Sequence, residues 1–217
     1  MTETQTQAAI IQQLLELQAI QVKPDAPFTY ASGIKSPIYT DLRMTISKPA
    51  LRKQIATGLS ELIRQFYPTA TVIGGVATAG IPHAAWVAEK LELPLIYVRS
   101  KPKDHGAGKQ IEGALQAADQ VVLIDDLIST GGSVLKAGKA VRQTPAQLLG
   151  VASIFSYQLP DARQNFATEE TQLHSLIDYH QLIDHLATQQ QLTPAQLDSA
   201  RTWHQDPWQW GATTTIK

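Results

Sequence analysis

From Thr71 onward short apolar strands alternate with amphipathic helices, and this alternation restricts the fold more than any other feature of the 217 residues. A strand near Thr71 to Gly74 precedes a helix from about Ile81 to Leu91 and a strand from Pro94 to Val98. After a long loop come a strand from Gln120 to Ile124, a helix to about Arg142 and a strand from Leu148 to Phe155. Strands joined through helices run parallel by right-handed crossovers and need cover on both faces. The expected fold class is therefore α/β, a parallel sheet with helices on both faces. Ligands of such sheets bind beyond the carboxyl ends of the strands. That places the site at Gly75 to Gly80, Arg99 to Gly113 and Asp125 to Ser133.

The flanks are simpler. Apolar residues at helical spacing predict a helix over roughly residues 3 to 20. Lys23 to Pro37 reads as irregular, and Ile38 to Arg43 alternates as a strand. Ser47 is a candidate N-cap, with Pro49 in the first turn, for a helix whose stripe is Leu51, Ile55, Leu59, Leu62, Ile63 and Phe66. Beyond Pro160 the pattern predicts a strand at Thr171 to Ile177 and helices at about Tyr179 to Ala187 and Pro194 to Trp203. Trp203, Trp208 and Trp210 are expected to pack the tail against the body. A net charge of −1 lacks the broad basic surface that nucleic acid requires. No apolar run approaches the roughly 20 residues of a membrane span. With no cysteine, disulfides and thiolate chemistry are excluded, and a cytoplasmic location is the expectation.

Three loops can carry chemistry. Val121 to Ile124 reads as a buried strand, and Asp125-Asp126-Leu127-Ile128-Ser129-Thr130-Gly131-Gly132-Ser133 leads from it into a helix. Strand, small-residue loop and helix start together make a phosphate cradle, because backbone N–H groups and the positive helix end converge. The glycines of Gly75 to Gly80 are spaced as in a nucleotide-binding P-loop, but Ile81-Pro82 replaces the lysine and hydroxyl residue. That turn is either a second anion site or a tight strand-to-helix connection. Arg99 to Asp119 is longer than the roughly 12 to 15 residues of an ordinary loop. Arg99, Lys101, Lys103 and Lys109 against Asp104 give its first part a net +3, with His105 beside them. It reads as a basic lid over an anion, or else as a solvated loop. Neighbouring residues of an extended strand point to opposite faces, so Asp125 and Asp126 are expected to have different partners, one over the ligand and one supporting the loop. Carboxylates capping the following turn are the alternative. His174, His180 and His185 lack metal-site spacing and read as surface residues.

The stretch from the strand through Asp125-Asp126 to Ser133 resembles the phosphoribosyl-pyrophosphate signature of the type I phosphoribosyltransferases. Phe28 to Gly33, Ser36 to Tyr39, Ala77 to Ile81 and Tyr97 to Gly106 narrow the resemblance to the orotate phosphoribosyltransferases, over about Phe28 to Tyr157. The resemblance implies one phosphoribosyltransferase domain over 1–217, with small hood elements at approximately 1–45 and 160–217. It implies Mg²⁺-dependent transfer from phosphoribosyl pyrophosphate to orotate, giving orotidine 5′-monophosphate and pyrophosphate in pyrimidine synthesis. By the same resemblance Leu127, Ile128 and Ser129 to Ser133 hold the donor with its 5′-phosphate. Asp125 and Asp126 meet the ribose hydroxyls and are catalytic, and Ala77, Thr78, Ala79 and Gly80 form the pyrophosphate loop. Arg99, Lys103 and His105 cover the departing pyrophosphate, with Lys103 the main catalytic residue. Lys35, Tyr39 and Ser129 take orotate. Magnesium is held mainly by donor oxygens and water, with no dedicated protein ligands. The implied assembly is a homodimer in which the basic loop reaches the partner's site.

The chain departs from the family pattern in three places. Ala79 stands where some members have lysine, Ser100 where some have a second basic residue after the loop arginine, and Ser156-Tyr157 where some have an acidic-arginine pair. Two rivals stand beside this reading: a phosphoribosyltransferase for another base, and a non-catalytic sensor of the donor. The sensor would show an added DNA-binding module or a lost basic loop, and the chain shows neither.

Overall fold

The computed structural model describes residues 3–29, 35–101 and 110–210. The chain divides into two compact units, Met1–Thr45 with Ile177–Lys217, and Ile46–Leu176.

In the first unit α1 (Glu3–Glu16) buries Ile10, Ile11 and Leu14. It stops short of the predicted end. Gln18 adopts a left-handed φ of 58° and the Ala19 N–H donates back to the Leu14 carbonyl at 2.9 Å, a chain reversal that closes a helix. The chain continues as β1 (Ile20–Val22), β2 (Phe28–Thr29), β3 (Lys35–Ser36) and β4 (Ile38–Thr40). β1 pairs antiparallel with β4, and β2 with β3. A 3-10 helix, Leu42–Ser47, follows.

The second unit begins with α2 (Pro49–Phe66), whose N-cap is Lys48 without a side-chain cap bond. Ser47 instead closes the preceding 3-10 turn, so the predicted cap is displaced by one residue while Pro49 keeps its place. Leu51, Ile55, Leu59, Leu62 and Ile63 are buried as the stripe requires. Phe66 stays 42% exposed and stacks on His174 at 3.8 Å. Then come β5 (Val72–Val76), α3 (Gly80–Leu91), β6 (Leu95–Val98), β7 (Ile111–Glu112), β8 (Gln120–Ile128), α4 (Gly132–Arg142), β9 (Gln147–Ser156), α5 (Pro160–Thr168) and β10 (Gln172–Asp178).

The six-stranded sheet has the order β10-β9-β8-β5-β6-β7. β6, β5, β8 and β9 are parallel, and β7 runs antiparallel on the edge. The parallel sheet with helices on both sides is as the alternation predicts, with the added edge strand making it mixed. Val121, Val122, Leu123 and Ile124 are fully buried, each burial contributing about 1.5–3 kcal/mol. Val121, Leu123, Val72, Ile96 and Val151 pack with Val134, Ala137 and Val141 of α4 and with Ala162 and Phe166 of α5. On α3, a Cβ added to Gly75 of β5 would meet the Ile81 Cα at 2.7 Å, so that helix lies hard against the strand. Three features depart from the sequence pattern. β8 runs four residues past Ile124, because β9 supplies partners as far as Ile128 opposite Ser156. α5 is an additional helix, and β7 interrupts the predicted long loop.

The chain then returns to the first unit as α6 (Tyr179–Thr188) and α7 (Pro194–Gln205), each opened by a full capping box, Asp178 with Gln181 and Thr193 with Gln196. Trp203 is buried beside Tyr179 at 5.5 Å, and the Trp210 indole donates to the Ser199 carbonyl at 3.0 Å. Trp208, predicted to pack, is 60% exposed in the turn after α7. Among the described residues no helix is long and apolar enough to cross a membrane.

Candidate active site

The sheet order puts a topological switch at its centre. From β5 the chain crosses to β6 on one side, and from β8 to β9 on the other, so the loops after β5 and β8 part at a crevice between adjacent strands. Gly80, which begins α3, is wedged there. A Cβ on it would collide with the Ile124 carbonyl and stand 3.1 Å from the Asp125 Cα. Only a residue without a side chain allows this approach, and it brings Ala77 to Gly80 beside the acidic pair. The Ala77–Thr78 peptide is cis.

On the outer side, the Ala77 N–H donates to the Val98 carbonyl at 2.9 Å, which ties the turn to the end of β6, just before Arg99. Arg99 closes a ring with Gln110. Its N–H donates to the Gln110 carbonyl at 2.9 Å, and the Gln110 amide donates to the Arg99 carbonyl at 2.8 Å. The Arg99 guanidinium lies 3.5 Å from Glu112 and is partly exposed, a contact worth well under ~1 kcal/mol. Arg99, Ala77 to Gly80 and the Asp125 to Ser133 stretch thus stand at or near the carboxyl ends of three neighbouring strands, β6, β5 and β8. Lys103 and His105 lie outside the described residues.

Asp125 and Asp126 both belong to β8, yet alternation along the strand does not part their side chains as expected, because the two carboxyl groups hydrogen-bond to each other. Asp125 is 9% exposed and its Oδ1 accepts from the Asp126 N–H at 3.0 Å. Burial, reinforced by the neighbouring Asp126 carboxylate, pushes the Asp125 carboxyl up to about 8. Asp126 is half-buried. Leu127 is half-buried and Ile128 buried, while Ser129, Gly132 and Ser133 are exposed. Gly131 caps α4 with φ of 80°, a left-handed conformation that favours glycine.

The helix starts differ in a telling way. α6 and α7 have capping boxes, and α2 and α5 begin with proline. α3 and α4 have neither a side-chain cap nor a proline in their first two positions. Uncapped leading N–H groups and positive helix ends of this kind, following the turns after β5 and β8, are chemically suited to an anion.

Lys35 and Tyr39 lie in the first unit. The Lys35 ammonium donates to the Thr29 hydroxyl at 2.9 Å, and Tyr39 is 39% exposed beside Phe28, 5.5 Å between rings. Of the departures from the family pattern, Tyr157 is buried and its N–H donates to the Ile128 carbonyl at 2.9 Å. Sequence reasoning missed α5, although Pro160 followed by Ala162 and Phe166 at helical spacing was a legible start signal. Asn165 and Phe166 on this helix touch Thr130 and Gly131 of the loop between β8 and α4. His174 and His185, read as surface residues, are half-buried, and burial lowers both imidazoles below their usual range.

Residues 45–170 match the phosphoribosyl transferase domain family. The chain is 57% identical to the orotate phosphoribosyltransferase of Lactobacillus johnsonii over 202 residues, covering 93% of this chain and 95% of that one. It is 56% identical to that of Lactiplantibacillus plantarum, covering 95% and 97%. Among solved structures, orotate phosphoribosyltransferase from Aeropyrum pernix aligns with a TM-score of 0.73 at 26% identity, covering 82% of this chain and 98% of that one. UMP synthase of Leishmania donovani aligns with a TM-score of 0.75 at 25% identity, covering 90% of this chain but 41% of that longer one. By sequence over nearly its full length, and by the sheet and loops built above, the chain belongs to the orotate phosphoribosyltransferases.

Proposed function

We propose that this chain transfers the 5-phosphoribosyl group of phosphoribosyl pyrophosphate to orotate, forming orotidine 5′-monophosphate and pyrophosphate in cytoplasmic pyrimidine synthesis. The observation that carries the proposal is the seating of Gly80 against Asp125, which gathers two uncapped helix starts and an acidic pair at one crevice. Two anion cradles flanking carboxyl groups suit a sugar bearing a phosphate at one end and a pyrophosphate at the other.

In this reading Ser129 to Ser133 cradle the 5′-phosphate and Ala77 to Gly80 the pyrophosphate. Asp125 and Asp126 hold the ribose hydroxyls in different ways. Asp125, held towards its neutral form, can donate a hydrogen bond, while Asp126 supplies the carboxylate that offsets positive charge developing on the ring. As the ribosyl bond to pyrophosphate breaks and the bond to orotate forms, negative charge gathers on the leaving group. Arg99, Lys103 and His105 stabilise it there, with Lys103 contributing most, and the covering loop keeps out water. Lys35, Tyr39 and Ser129 receive orotate, whose carboxylate calls for a cation or N–H donors. The loop belongs to the partner's site in a homodimer.

Magnesium fits this site on substrate oxygens and water. Among the described residues no group of three or more His, Cys, Asp or Glu can hold a metal, and burial disfavours charge on one member of the acidic pair. When bound, the ion screens the charge of the pyrophosphate. The test is turnover with phosphoribosyl pyrophosphate and orotate, uracil, hypoxanthine or adenine in parallel. Orotate is expected to be consumed, and no turnover of orotate would sink the proposal.

A further inference from the structure

Two side chains of α5 end on the loop between β8 and α4. The Asn165 Nδ2 donates to the Thr130 carbonyl at 2.9 Å across 35 positions of sequence. That partner can only accept, so the amide nitrogen, not the oxygen, must face it. Phe166, 6% exposed, fills the other side, where a Cβ on Gly131 would stand 2.5 Å from its ring. A trans peptide carries its carbonyl and the following N–H on opposite sides. Holding the Thr130 carbonyl against α5 therefore turns the Gly131 N–H the other way, and the ring of Phe166 leaves no room for a side chain on this left-handed glycine.

We propose that Asn165 is a positioning residue for the phosphate loop: it fixes the plane of the Thr130–Gly131 peptide, so that the Gly131 N–H is aimed before the phosphate arrives. The inference rests on the reading of Ser129 to Ser133 as the 5′-phosphate cradle. A donor oriented in advance strengthens binding by removing the cost of orienting it afterwards. Asn165 is exposed on the middle of α5, so its replacement leaves the core intact. It does not reach the reacting atoms, and its effect belongs to donor affinity rather than to the chemical step.

The test uses the full chain, with ribose 5-phosphate as the binding probe and the Gly131 amide resonance as the reporter. In the parent the resonance is expected to shift on titration. Asn165→Ala is expected to weaken ribose 5-phosphate and raise the KM for phosphoribosyl pyrophosphate about three- to tenfold, the effect of one hydrogen bond. Turnover and the KM for orotate should stay close to the parent values. Asn165→Asp, which sets an acceptor against the Thr130 carbonyl, should weaken the probe more than alanine does. If the parent resonance shifts and both variants bind the probe as tightly as the parent, the role of Asn165 is overturned while the cradle stands. If the parent resonance does not shift, the cradle reading fails and takes the inference with it.

Discussion

Replacing Asp125 by asparagine is expected to stabilise the ligand-free protein at neutral and alkaline pH, and the cause is proton linkage. The carboxyl, 3.8 as an ordinary side chain, is pushed up to about 8 in the fold, first by burial and then by Asp126. Between those values the unfolded chain is ionised while the folded one holds the proton, so folding takes a proton up and stability falls as pH rises. The favourable contribution is complete below about pH 4 and lost above about pH 8. At ~1.4 kcal/mol per pH unit, the displacement corresponds to an upper bound of about 5–6 kcal/mol. Water entry and adjustment within the acidic pair reduce this, and about 2–3 kcal/mol is expected. Asparagine keeps an oxygen to accept the Asp126 N–H, now at 3.0 Å, and puts a neutral amide where the protonated oxygen was. Urea unfolding of both proteins without ligands, from about pH 4 to pH 9, reads the difference directly. It should be near zero at the acid end and grow in favour of the variant through neutrality. A difference independent of pH, or one favouring the parent at pH 8, refutes the reasoning.

Further predictions concern the crevice and the basic loop. Gly80→Ala must push α3 away from Ile124 and Asp125, with an expected loss of about 1–3 kcal/mol in unfolding free energy and weaker binding of pyrophosphate by titration calorimetry. Unchanged stability and affinity would show that the close approach is dispensable. Lys103→Ala is expected to lower turnover by about 100-fold or more while changing substrate binding far less, since its contact strengthens as the leaving group gains charge. Equal turnover in variant and parent removes it from the chemistry. Mixing Lys103→Ala with Asp126→Asn protein should restore activity if each site draws its loop from the partner. No recovery despite demonstrated subunit exchange argues against sharing.

The parallel sheet was legible because burial on both faces leaves unbroken apolar runs such as Val121 to Ile124, and because the glycines of the connecting loops stand out. The end of β8 was not. An Asp-Asp pair looks like the start of a loop, and only the partners that β9 offers through Ser153, Phe155 and Ser156 keep it extended. Ser47 misled for a related reason. A cap is decided by where the preceding turn ends, and the 3-10 turn from Leu42 uses Ser47 itself. Motif spacing identified the loops at the crevice, but not the props behind them. The contact of Asn165 with Thr130 spans 35 residues and depends on where α4 and α5 meet, which no local pattern encodes. The shift of the Asp125 carboxyl is equally non-local, since it follows from depth in the sheet.

β7, which interrupts the predicted long loop, is also one outer border of the sheet. It is two residues long, carries Glu112 and is followed by Gly113 at φ of 101°, so it offers little backbone for another chain to pair with. Behind it stands β6, Leu95–Val98, four residues whose Leu95 is already 39% exposed. Removing the loop together with β7 would uncover that apolar strand as a sticky edge. A truncated protein should therefore self-associate, and its lost activity would combine missing charge with aggregation. Alanine substitutions within the loop keep the border closed and separate the two effects.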